Sequence, residues 1–325
     1  MRFTLLFLLL AAGCSTLSAP RSALPVPFVA QKPQYCGPAT LVMVANYYGY
    51  RATQDDIAAV IYQHGIRGVL TTDLAEYAQR LGFWARAYRG DLADLQQKMV
   101  NGVPLILHTR FGARDHFLVA IGADKFNQTF TVHTDTRPNL EMPQEELLRH
   151  WERGGRWTLL VCPVERATWS LSAVEHNDLG VHLERCGQYI AAAGHYKLAA
   201  ELRSRIAIFH FNLGNALLKQ KLFAEAAAAF RRAADLAPDN ADALNNLAWA
   251  WHELGANLDE AAALCRRAAT VRPTHQAYYL DTLGSVLLRQ GKRNEARAAF
   301  QEALAATTEH QFALRETIRK HLSAP

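Results

Sequence analysis

The apolar positions fall into two patterns. From Val26 to about Glu165, short apolar runs are separated by glycine and proline. The residues after His116, Phe117 to Ala120, and the segment Thr129 to Thr136 carry the signature of strands. So do Pro104 to His108 and the run Trp157 to Val164. The stretch Thr40 to Tyr48 instead places Leu41, Val44, Ala45 and Tyr48 on one face and predicts a helix. After about residue 170 the chain is rich in alanine and helical in period throughout. The boundary is expected near Arg166-Ala167-Thr168.

The second region repeats. Gly180 and Gly214 are 34 residues apart, as are Ala192 and Ala226, and Tyr196 and Phe230. Further copies run through Asn246 to Trp251 and Thr282 to Leu288, the third carrying one extra residue around Asn257. Pro238 and Pro273 follow the second helices, since proline cannot continue a helix. Small residues fall where paired helices touch, and His310 to Leu322 reads as a capping helix. A 34-residue helix–turn–helix period resembles the tetratricopeptide repeat over 172–322. The resemblance implies an all-α solenoid that binds peptides or proteins and has no chemistry of its own.

The N-terminus reads as an address. Arg2 precedes an apolar run, Phe3 to Ala12, too short to span a bilayer but suited to a secretory signal. Ala11-Ala12-Gly13-Cys14 resembles the lipobox of bacterial lipoproteins. That resemblance implies cleavage after residue 13 and acylation of Cys14, with Ser15 pointing to the outer membrane, periplasmic or surface-facing. Residues 14–25 read as a tether.

Four cysteines remain, with no zinc or disulfide spacing. Cys162, Cys186 and Cys265 read as small buried hydrophobes. Charge excludes a nucleic-acid partner: 17 basic and 14 acidic residues up to Thr168, 18 and 16 after it, leave no basic stripe. No Walker loop, dinucleotide fingerprint or metal spacing is present, so no cofactor is expected.

Cys36 stands apart. Pro38 suits the first turn of a helix, which puts Cys36 at a helix N-terminus. There the macrodipole favours the thiolate and predicts a lowered thiol pKa. Gly37 lets the backbone close on a substrate carbonyl, and Gln31 is placed to share an oxyanion hole with the Cys36 N–H. His116, at a strand start, is the expected base, with His108 as its rival. Asp135 is the expected orienting group, with Thr134 as the alternative.

The set Val26-Pro27-Phe28, Gln31, Cys36-Gly37-Pro38-Ala39, Tyr47-Tyr48-Gly49, Asp55 to Ala58, Gly102-Val103-Pro104 and His116 to Val119 with Gly122 resembles the bacteriocin-processing (double-glycine) peptidases of the papain-like superfamily. That resemblance implies an α+β papain-like cysteine peptidase domain over 26–165. It implies Cys36 as nucleophile, His116 as base and Gln31 as oxyanion donor, with cleavage after small residues. The family often has Asp-Pro where this chain reads Thr134-Asp135-Thr136. The expected protein is a lipid-anchored cysteine peptidase whose solenoid recruits a peptide or protein. Acyl transfer is the variant of that chemistry. A non-catalytic peptide-binding or scaffold lipoprotein of the envelope is the alternative.

Overall fold

The computed structural model describes residues 23–323. The signal, the lipobox and Cys14 lie outside the described residues. Contacts divide the chain between Trp169 and Ser170 into two units. No helix among the described residues is long and apolar enough to cross a membrane.

The first unit opens with three helices: α1 (Cys36–Tyr47), α2 (Gln54–Ile61) and α3 (Thr71–Arg80). There follow β1 (Trp84–Arg89), α4 (Leu92–Val100), β2 (Leu105–Phe111), β3 (Arg114–Asp124), β4 (Thr129–Thr134), β5 (Arg137–Pro143), α5 (Gln144–Arg153) and β6 (Trp157–Cys162). Among the described residues the strands form one sheet in the order β1-β6-β2-β3-β4-β5, every neighbour antiparallel.

The reason for this layering is apolar surface on too many sides. Gly37 to Ala45 are all buried, so α1 has no solvent face. A helix apolar all round must be enclosed. It packs with Ile57, Leu74 and Ala78 of its neighbouring helices against Ile106, Val119, Ile121, Leu159 and Val161 of the sheet. The helix begins at Cys36, four residues before the apolar periodicity suggests, because Pro38 tolerates the first turn, where its missing N–H has no partner to lose. The run Phe117 to Ile121 is buried at every residue, so β3 has a covered face on either side. The last residues expected in the tether belong to the fold. Leu24 N–H donates to Ile121 O at 2.8 Å, and Ala23 Cα lies 3.2 Å from where a Cβ on Gly122 would stand.

The second unit is four antiparallel helix pairs: α6 (Ala173–Arg185) with α7 (Tyr189–Leu202), α8 (Ala207–Lys219) with α9 (Phe223–Leu236), α10 (Ala241–Leu254) with α11 (Leu258–Val271), and α12 (Gln276–Arg289) with α13 (Arg293–Ala305). The helix α14 (Phe312–Ser323) follows and buries Ile318. Three of the pairs close where a ring lies on a glycine: Tyr196 on Gly180, Phe230 on Gly214, Phe300 on Gly284. In the third pair the corresponding positions are Ala248 and Cys265, both fully buried. A larger residue on one helix is matched by a smaller one on the other. The third repeat holds more than the one extra residue expected. Asn257 takes a left-handed conformation, and a second residue is absorbed in the 3₁₀ turn Pro273–His275. Cys265 and Cys162 are buried as expected, but Cys186 is exposed, because α6 ends one residue earlier and leaves it at the cap.

Two glycines test this packing. A Cβ on Gly214 would sit 2.6 Å from Phe230 Cε1, whereas one on Gly194 in α7 meets nothing within 4 Å. Gly214→Ala is expected to destabilise by about 1–3 kcal/mol through overpacking. Gly194→Ala should stabilise by about 0.5–1 kcal/mol through helix propensity. Denaturant midpoints of the two variants check both signs.

Candidate active site

Cys36 opens α1, half-buried, at one wall of a cavity of about 620 Å³. Gln31, Gln34, His108 and Phe117 share the lining, and residues 66–71 form the rest of the wall with Arg114 and Asp115. That wall was not foreseen. Its signal was the turn chemistry of Gly65 and Gly68, and a bridge between Gln63 and Gly68 closes it. Gly37 does less for a substrate than for this wall. A Cβ there would meet Val69 Cγ2 at 2.3 Å, so the glycine lets Val69 press onto the helix start.

The thiol faces the backbone N–H groups of Phe117 and Gly37. It therefore lies one residue along β3 from His116. Burial pushes the Cys36 thiol above its ordinary value, and these N–H groups, its own N–H and the Arg114 guanidinium pull it back only in part. This corrects the lowered value expected from the helix terminus. The helix end supplies N–H groups, but removal from water opposes the thiolate more strongly.

His116 is 2 % exposed and is not among the residues that line the cavity. Its Nε2 lies 2.8 Å from Thr134 Oγ1 and 3.8 Å from Asp135 Oδ1. Nδ1 is buried without a hydrogen-bond partner, and no hydrogen bond joins it to Cys36 Sγ. In the tautomer whose Nε2–H donates to Thr134 Oγ1, the lone pair falls on Nδ1, as a base requires. Burial lowers the His116 pKa to about 4, against the Asp135 carboxylate, which raises it.

The orienting position is shared. Thr134 makes the direct bond, and Asp135 stands behind it. Asp135 falls one residue past β4 in a left-handed conformation, φ 49°, so strand alternation did not describe it. Its carboxylate takes Arg114 Nη2 at 3.0 Å, and its carbonyl accepts the Gln31 N–H at 3.1 Å. Asp135 thus ties the base to the segment carrying Gln31. His133 is occupied elsewhere, its Nε2 on Val26 O at 2.9 Å.

His108 lines the cavity, and His116 does not. Its ring lies 5.1 Å from that of Phe117. Both its nitrogens face acceptors, Gly154 O at 3.2 Å and Asp115 Oδ1 at 3.3 Å. No cluster of three or more metal-ligating side chains occurs among the described residues.

The buried neutral ring of His116 has a consequence for stability. In the unfolded chain the imidazole binds a proton as pH falls through about 6.5, while in the fold it stays neutral to about 4. The unfolded state therefore binds more protons in that window, and stability is full above it and falls as pH drops through it. Between pH 7 and 4 the protein should lose about 3 kcal/mol more than its His116→Gln variant. Urea unfolding at the two pH values measures this. Equal losses would contradict a buried neutral ring.

Residues 23–157 match the Peptidase_C39 like family. Residues 177–241, 211–275 and 276–310 match the tetratricopeptide repeat. Among solved structures, the peptidase domain of Streptococcus ComA, a bifunctional ABC transporter of a quorum-sensing pathway, is 24% identical. It matches over 42% of this chain and 98% of its own, with a TM-score of 0.38. A double-glycine-motif protease from an AMS/PCAT transporter, solved with its leader peptide, is 23% identical over 44% of this chain and 96% of its own, TM-score 0.37. A thermophilic tetratricopeptide-repeat protein of Thermus thermophilus is 22% identical over 46% of this chain and 81% of its own, TM-score 0.40. No curated protein matches the chain. The chain carries a Peptidase_C39-like domain, and tetratricopeptide repeats follow it.

Proposed function

We propose that the first unit is a thiol peptidase and that the repeats recruit the peptide or protein it acts on. One observation carries this reading. Cys36 and Gln31 line one cavity, and β3, whose Phe117 backbone meets the thiol, carries at the preceding residue an imidazole with Nε2 engaged and Nδ1 unpartnered.

In the proposed reaction Cys36 Sγ attacks the scissile carbonyl as its proton passes to His116 Nδ1. The carbonyl oxygen takes the negative charge and receives hydrogen bonds from the Gln31 side chain and the Cys36 N–H. Collapse breaks the C–N bond, and the imidazolium returns its proton to the leaving amine. Water then hydrolyses the thioester and regenerates the thiol. An amine in place of water gives acyl transfer by the same steps. Thr134 and Asp135 hold the ring throughout. Val69, pressed onto Gly37 beside the thiol, narrows the cavity there and supports cleavage after small residues.

Two further parts of the reading rest on the sequence. Cys14 is proposed as a lipid attachment that holds the protein at the outer membrane, and Cys14→Ser should move it from the membrane to the soluble fraction. The repeats are proposed to bind a protein partner through their groove, as their family match supports.

Quenched peptides carrying an internal Gly-Gly are the direct test. The full chain should cleave them. Cys36→Ala should abolish cleavage and His116→Ala should lower kcat by at least about 100-fold, the scale of a lost general base. His108→Ala should act mainly on KM. Cleavage lost in His108→Ala and kept in His116→Ala would transfer the base role to His108. Envelope function retained in Cys36→Ala would leave a peptide-binding cleft instead of an enzyme.

A further inference from the structure

We infer that Gln54 is a positioning residue for the oxyanion donor, acting through the backbone on either side of Gln31. This deepens the proposed thiol chemistry and rests on it. Gln54 is the first residue of α2 and is 8 % exposed. Its side-chain Nε2 donates to Ala30 O at 2.8 Å, and its Oε1 accepts the Lys32 N–H at 2.9 Å. One amide thus reads the main chain before and after Gln31, as a neighbouring strand would. The remaining backbone donor, the Gln31 N–H, is on Asp135 O. Three bonds therefore fix the Gln31 backbone and leave its side chain to the cavity it lines.

The clamp is itself rigid. Thr53 and Asp56 form a reciprocal cap on α2, with Asp56 N–H on Thr53 Oγ1 at 3.2 Å and Thr53 N–H on Asp56 Oδ2 at 3.0 Å. The far end of α2 holds the same segment nearer the thiol. Tyr62 Oη donates to Gln34 Oε1 at 2.7 Å, and its ring lies 5.3 Å from that of Tyr35. No other side chain among those described bonds both Ala30 and Lys32. A glutamine suits the place because it alone offers a donor and an acceptor at the reach required.

The position of a donor matters at the moment charge develops on oxygen. It does not matter when a thiolate displaces a halide, since no oxyanion forms. Two reactions of Cys36 in the full chain therefore separate positioning from general damage. One is acylation by the p-nitrophenyl ester of N-acetylglycine, and the other is alkylation by iodoacetamide, both located by peptide mapping. Gln54→Ala is expected to slow acylation about 10- to 100-fold, the scale of a displaced or lost oxyanion donor. Alkylation should stay within about twofold. Gln54→Glu keeps the bond from Lys32 and loses the one to Ala30, and should fall between. Added to Gln31→Ala, Gln54→Ala should cost less than about threefold more, because both act on one group. Acylation at the wild-type rate in Gln54→Ala overturns the inference. So does a full multiplicative loss in the double variant, or alkylation falling in step with acylation. A wild-type Cys36 that alkylates but never acylates overturns instead the thiol chemistry on which the inference rests.

Discussion

A helix with no polar face has one place to go, and α1 determines the first unit by going there. Its residues from Gly37 to Ala45 are all buried, enclosed between α2, α3 and the sheet. A buried helix cannot drift along its axis without breaking close packing on every side. Its N-terminus is therefore a fixed point, and Cys36 is that point. The strand that meets it, β3, is buried along Phe117 to Ile121 and is equally immobile. Two apolar elements, each locked for reasons of packing, hold the thiol against the β3 backbone at Phe117, the residue after His116.

The electrostatics of the pair follow from the same burial. Desolvation opposes charge on either group: it raises the Cys36 thiol and lowers the His116 imidazole to about 4. Each is thus at rest as a neutral group. The proposed transfer of one proton from sulfur to Nδ1 creates both charges together, which costs less than creating either alone. In the proposed reaction the proton moves as the bond forms, and the resting thiol stays neutral. The N–H groups of Phe117 and Gly37, and Arg114 beyond them, are set to favour the sulfur anion when it appears.

What could be read from the residues follows a physical line. The thiol at a helix start, the strand beginning with His116 and the repeat of Gly180, Gly214 and Gly284 are local patterns, and local patterns are written in the chain. The helix start was placed late because apolar periodicity begins after Pro38, while a first turn needs no periodicity. Thr134, the alternative to Asp135, makes the direct contact with His116 because β4 ends one residue short of Asp135, in a left-handed turn that alternation does not anticipate. The thiol shift was misjudged in sign, since a helix terminus is visible in sequence and burial is not. The cavity wall of residues 66–71, marked in the chain only by the turn residues Gly65 and Gly68, and the reach of His108 into the cavity are tertiary. Cys186 shows the limit from the other side: a helix that ends one residue sooner turns a core position into a surface one.

The central claim is that Cys36 works with His116. Its most direct test is the rate of Cys36 alkylation across pH in the full chain beside the His116→Ala variant. The account predicts faster reaction at neutral pH in the wild type, by about tenfold or more, because only there can the departing proton pass to Nδ1. Above the thiol's own raised pKa the two rates should converge. Superimposable profiles at every pH would contradict the pairing and leave Cys36 a buried cysteine at the foot of a peptide-binding cleft.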